Sequence, residues 1–154
     1  MFDKEIEELI TEHKEINKVL KDYEKRLDTL NIDEIKQFLN FVETTVEEHA
    51  HKEDDKFLVH VLEIFPSYDA EAFSFAHNTI REGVNDLKDS IEEYYLGKIT
   101  IKKVREYVKK VITLIYDHFL EEENFFFPDI KRIKISGDSA RIEEIDLKEE
   151  KEWL

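Results

Sequence analysis

Apolar residues recur along this chain at alternating steps of three and four, in four stretches that together span about residues 3–128. Such stepping puts one apolar stripe on each of four helices, and few folds can bury four long stripes at once. The first stretch, about 3–30, carries Ile6, Leu9, His13, Ile16, Leu20, Tyr23, Leu27 and Leu30. The second, about 32–64, carries Ile35, Leu39, Val42, Val46, His49, Glu53, Phe57 and His60. The third begins near Ser67 or Asp69 and runs to Gly97 through Phe73, His77, Ile80, Val84, Leu87, Ile91 and Tyr94. The fourth runs from about Thr100 to Pro128 through Val104, Val108, Val111, Ile115, His118, Glu122 and Phe125. Asn31 followed by Glu34 has the pattern of a capping box, Pro66 and Pro128 stop their helices, and Gly97 suits a C-terminal cap. Matched lengths and short links make neighbours antiparallel, so the expected fold is all-α: an up-down-up-down four-helix bundle over 1–128.

Residues 129–154 break the pattern. An alternating fragment (Ile130, Ile133, Ile135) leads into Ser136-Gly137-Asp138-Ser139 and then a charged stretch closing on Trp153. A turn and a short helix, packed on or flanking the bundle, are expected there. Only 3 Gly and 2 Pro in 154 residues exclude a turn-rich β sandwich, and zero cysteine excludes disulfide scaffolds, iron–sulfur clusters and thiol catalysis. A net charge of −15 argues against nucleic acid and anionic membranes as partners. Most of that charge reads as a solvated outer face. No run approaches a membrane span, and the opening Met1-Phe2-Asp3-Lys4-Glu5 has no leader-like character, so a cytoplasmic location is expected.

The stripes contain residues that a bundle core should reject. His13, His49, His77 and His118 each sit where Leu or Ile belongs, one per helix, and Glu53 and Glu122 follow two of them by four residues. A buried carboxylate without a proton or a cation is costly, so two in one core need a common cause. Counting residues from the turns at about 1.5 Å each places all six within a slab about 9 Å thick. Spacing of i,i+4 stacks each His–Glu pair on one face. Four imidazoles and two carboxylates at one level are how helical bundles build dinuclear metal sites. His51 lies on the opposite face and is expected to be exposed, whereas His60 reads as a core or cap histidine. Asp54 and Glu123 each follow a candidate ligand and read as its supports or as exposed acids. Phe119 and the run Phe125-Phe126-Phe127 read as packing around the site.

At this level of detail the chain resembles the hemerythrin-like (HHE cation-binding) family. His118-Phe119-Leu120-Glu121-Glu122-Glu123-Asn124-Phe125-Phe126-Phe127-Pro128 is similar to that family's H-F-x-x-E-E-x-x-L/F-F-P signature. The second helix repeats it more loosely as His49-x-x-x-Glu53-Asp54-x-x-Phe57, and His13 and His77 complete the pattern. The resemblance implies a non-haem centre of two iron ions, oxo- or hydroxo-bridged and bridged by Glu53 and Glu122, with the four histidines as terminal ligands. It further implies binding of O2 or a related small ligand, in oxygen or iron sensing or handling. Oxygen carriers of this family have a further histidine four residues before the third-helix ligand, where this chain has Phe73. They place the last acid five residues after the fourth-helix histidine, at Glu123 here, whereas Glu122 repeats the spacing of the second helix. Two ferrous ions against two carboxylates would leave the site cationic. An alternative reading is therefore a peroxidase- or oxidase-type enzyme using an open iron, and a metal-free interaction bundle is a third.

Overall fold

A computed structural model describes residues 1–136 and 141–143 of the chain. Four helical rods account for most of them. Rod α1 is Asp3–Lys25, closed by a 3-10 turn at Leu27–Thr29. Rod α2 covers 32–64 in five consecutive pieces: helix at Ile32–Phe41, a π turn at Val42–Val46, helix at Glu47–His51, a π turn at Lys52–Phe57 and helix at Leu58–Ile64. Rod α3 is Glu71–Tyr95. Rod α4 covers 101–131, with helix at Ile101–Glu121, a π turn at Glu122–Phe126 and helix at Phe127–Lys131. No helix among the described residues is long and apolar enough to cross a membrane.

The rod ends follow from local chemistry. The Asn31 side chain accepts from the Glu34 N–H at 2.9 Å, while the Glu34 carboxylate accepts from the Asn31 N–H at 3.1 Å, a reciprocal capping box. Thr100 caps α4 by accepting from the Lys103 N–H. Gly97 has φ 74°, the left-handed conformation that lets the Lys98 and Gly97 N–H groups return to the carbonyls of Glu93 and Tyr94. Rod α3 starts slightly later than expected, with the Asp69 carboxylate accepting from the Glu71 N–H.

Pro128 does not end α4. It sits in the first turn of Phe127–Lys131, directly after a π turn that moves the preceding carbonyl away from the proline ring, so the helix carries on to Lys131. Beyond it Lys134–Ser136 pairs antiparallel with Arg141–Glu143, where a turn leading to helix was expected. The remainder of the tail, with its expected short helix, lies outside the described residues.

Rod α3 packs along α4, α1 packs against α4, and the first part of α2 packs against α3 and α4. Two buried apolar clusters result among the described residues. One runs from Ile16 and Leu20 through Val46, Ile80 and Val108 to Ile115 and Phe119. The other gathers Phe2, Ile6, Leu9, Phe57, Phe73, Phe127 and Ile130. Each rod passes from one cluster to the other through a polar residue: His13 between Leu9 and Ile16, and His77 between Phe73 and Ile80. The helical, bundle-like packing therefore holds a polar layer between two dry ones.

Candidate metal centre

All six expected residues meet in that layer. His13, Glu53 and Glu122 are wholly buried, and His49, His77 and His118 are nearly so. His13 Nε2 lies 3.1 Å from a Glu122 oxygen and 3.5 Å from Glu53. His77 Nε2 is 3.5 Å from the other Glu53 oxygen, His118 Nε2 is 3.4 Å from Glu122, and His49 Nε2 touches Glu53. The donors form two overlapping groups that share both carboxylates: His13 and His49 with Glu53 and Glu122, and His77 and His118 with the same pair. Within each group the donor atoms lie within 4.8 Å of one another.

Proximity here is not hydrogen bonding. All four oxygens of Glu53 and Glu122, and Nε2 of His13, His49 and His118, are buried without a hydrogen-bond partner although they face each other. Lone pairs that converge on shared points, with no aligned donors between them, are what cations at those points would satisfy. Imidazole nitrogen and carboxylate oxygen suit iron, manganese or zinc, so the residues fit a pair of divalent ions.

Protonation in the bare site follows from the same geometry. Burial pulls His13 toward neutrality, but the Glu122 and Glu53 carboxylates outweigh it and raise its pKa to about 9. His77, opposed by burial but held by Asp54 and Glu53, is raised to about 10. His49 is raised too, by Glu53 and Glu12 against burial. Glu53 and Glu122 cannot both ionise side by side. Despite burial, Glu53 is held well below the usual carboxylate range by the Glu122 carboxyl and the His13, His49 and His77 rings that face it, while burial and the Glu53 charge push Glu122 up.

The outer nitrogens carry a second pattern. His13 Nδ1 meets Glu123 at 3.3 Å, and His77 Nδ1 meets both Asp54 oxygens at 2.9 Å. Each His-x-x-x-Glu-acid string thus sends its first acid into the layer and its second to a histidine of another rod. His49 Nδ1 meets Glu12 at 2.8 Å, and Glu12 is paired with Lys52. Carboxylates behind imidazoles fix the tautomer and strengthen the ligand. Of this outer set, Asp54 and Glu123 are visible in the sequence as neighbours of candidate ligands, but Glu12 is not singled out by it. The signal for Glu12 is its place directly before His13. The corresponding residue before His77 is Ala76, and His118 Nδ1 is buried with no partner.

No protein-family model, curated protein or solved structure matches the chain. What the centre can do therefore follows from its own atoms.

Phe119 stacks on His13 with centroids 3.8 Å apart, and Phe127 lies 5.8 Å from it. Phe73 is fully buried and edge-on to His77. Phe125, expected in this shell, is 49% exposed, because the π turn at Glu122–Phe126 delays the inward stripe by one residue. His51 is exposed beside Glu47 and Asp55, and His60 sits half-exposed against Phe2 and Glu5 at one end of the second apolar cluster. Cations answer two of the outer acids: Lys52 pairs with Glu12, and Arg81 lies 3.9 Å from Asp54. A cavity of about 280 Å³ lies between α2 and α3 and reaches His49, His77 and His118 at its inner end.

Proposed function

We propose that this chain is a hemerythrin-like protein holding two divalent metal ions, iron by the resemblance, in an up-down-up-down four-helix bundle. His13 and His49 would hold one ion, His77 and His118 the other, with Glu53 and Glu122 shared. The observation that carries this reading is the set of buried, unpartnered carboxylate oxygens and imidazole nitrogens facing one another in the polar layer. Short connections at 65–70 and 96–100 support antiparallel neighbours.

Iron held there supplies one-electron redox chemistry and a coordination position for O2 or a related small ligand, which suits oxygen or iron sensing or handling. The chain's own residues prepare the site for that role. In the loaded site Glu123, Glu12 and Asp54 would accept hydrogen bonds from the Nδ1–H groups of His13, His49 and His77, leaving each Nε2 lone pair directed inward. The Phe119 and Phe127 rings exclude water on the His13 side. One observation favours a second reading, a peroxidase- or oxidase-type enzyme: Phe73, not a further imidazole, packs beside His77, so an ion held by His77 and His118 would have only those two protein nitrogens and room for an outside ligand.

Metal analysis after reconstitution with ferrous iron under anaerobic conditions tests the dinuclear reading. About two equivalents per chain are expected; a reproducible value of one or zero rejects it. Multiple-turnover peroxide consumption by the loaded protein then separates enzyme from binding module.

A further inference from the structure

The cavity between α2 and α3 is far larger than any diatomic gas needs. Its volume, about 280 Å³, is that of about nine water-sized groups. Its walls are Val42, Val46, Ile80, Val84 and Phe119, all buried and apolar. Charged groups occur only at the mouth, and there they cancel: Arg81 pairs with Glu47 at 2.7 Å, and Lys88 pairs with Glu43. Both histidines of the α3–α4 half line the cavity, whereas of the other half only His49 does and His13 does not.

The two halves of the metal centre also differ electronically. His13 and His49 are each backed by a carboxylate, whereas of His77 and His118 only His77 is, because Ala76 stands where α1 has Glu12. An imidazole without an acid behind it is the weaker ligand, and an ion held by it is the more electron-poor. The cavity therefore opens onto the half of the centre that most needs a further donor. Because the cations at the mouth are paired and the whole chain carries −15, nothing draws an anion in. Burying a charge against valine and isoleucine would be costly.

We propose that this cavity binds a neutral organic molecule with an apolar body and one oxygen donor, its oxygen directed at the His77–His118 half of the centre. The oxygen donor and the choice of end rest on the metal reading; the cavity and its preference for a neutral, apolar body do not.

The test uses cyclohexanone as probe, with cyclohexanecarboxylate as its anionic counterpart, followed by NMR on zinc-loaded protein and on the same protein in chelator. Zinc content is measured separately, so a chain that takes no metal overturns the metal reading while the cavity remains testable in the metal-free form. Cyclohexanone should give saturable shifts at the Val46, Ile80 and Val84 methyl groups in both forms. Cyclohexanecarboxylate should bind at least about tenfold more weakly. In the zinc-loaded form the ring nitrogens of His77 and His118 should move more than those of His49 and His13. Val84→Phe, or Val46→Phe if the first variant does not fold, should abolish the methyl shifts without lowering zinc content. Absence of saturable shifts in both forms, or tighter binding of the carboxylate, overturns the proposal; larger shifts at His49 or His13 overturn the assignment of the oxygen's direction.

Discussion

Glu122 and Glu123 are adjacent, yet they face opposite demands. Glu122 is wholly buried, with its oxygens unpartnered, while Glu123 is about one-third exposed and accepts from His13 Nδ1. Without metal, Glu122 is a liability: burial and the Glu53 charge push its pKa up, and its oxygens have no hydrogen-bond partner. An apolar residue of similar size should then stabilise the bare fold. Glu122→Leu should raise metal-free stability by about 1–3 kcal/mol, with each kcal/mol worth about 2–4 °C at this chain length. The same substitution should abolish metal uptake and lose whatever stabilisation metal confers. Glu123→Ala leaves both inner carboxylates in place, so it should keep the metal and weaken it by about 10–100-fold. Paired melts in chelator and in saturating metal check both. A Glu122→Leu that destabilises the bare protein, or keeps its metal, would contradict this account of the layer.

The rods themselves were largely legible in the sequence. Four stripes, the Asn31 box, the Thr100 cap and Gly97 each have a local cause, and each stands in the structure as the sequence implies. The π turns at Lys52–Phe57 and Glu122–Phe126 were not legible, because each adds a single residue and the apolar stepping merely resumes one position late. After Glu53 the buried residues are Phe57, Leu58 and Val61, not Phe57 and His60. After Glu122 they are Phe127 and Ile130, with Phe125 turned outward. The offset is the same in both rods, at +5 and +8 from the glutamate, so the two π turns are one device used twice. Each contains the glutamate of a His-x-x-x-Glu string and sits where adjacent acids must point to different rods. Such turns concentrate at functional sites. Deleting Asp55 should remove the extra residue and restore ordinary helical spacing, in which Phe57, Leu58 and Val61 still fall on the inner stripe. Helix content by circular dichroism should hold, while metal affinity falls by about tenfold or more as Glu53 and Asp54 lose their divided aim. Undiminished metal binding in that variant would make the π turn incidental.

At the scale of the whole molecule, the polar layer ties folding, protonation and metal together. In the metal-free chain His13 and His77 are held protonated to about pH 9 and about pH 10, well above the ordinary histidine value of about 6.5. A raised pKa in the folded state means that the folded chain binds the proton more tightly than the unfolded one. Their contribution is therefore complete below about pH 6.5 and is lost as pH climbs through about 9 to 10. Glu122, also raised, loses stabilisation in the same direction, whereas Glu53, depressed, loses its share only below the usual carboxylate range. The bare fold should thus be most stable in mildly acidic to neutral solution and weaken through the alkaline range. Metal reverses the sign. A bound ion needs neutral imidazoles and ionised carboxylates, so loading must expel the protons that hold the bare layer together, and its affinity must rise with pH. The melting temperature in chelator should fall between about pH 6.5 and 9, while the increment produced by saturating Mn(II) under anaerobic conditions should grow over the same interval. Calorimetry across that range, with proton release on metal addition measured in a weakly buffered sample at about pH 7, reads both halves of the linkage. A bare protein that gains stability with alkali, or a metal increment independent of pH, would mean that His13, His49, His77 and the two carboxylates do not titrate as one unit.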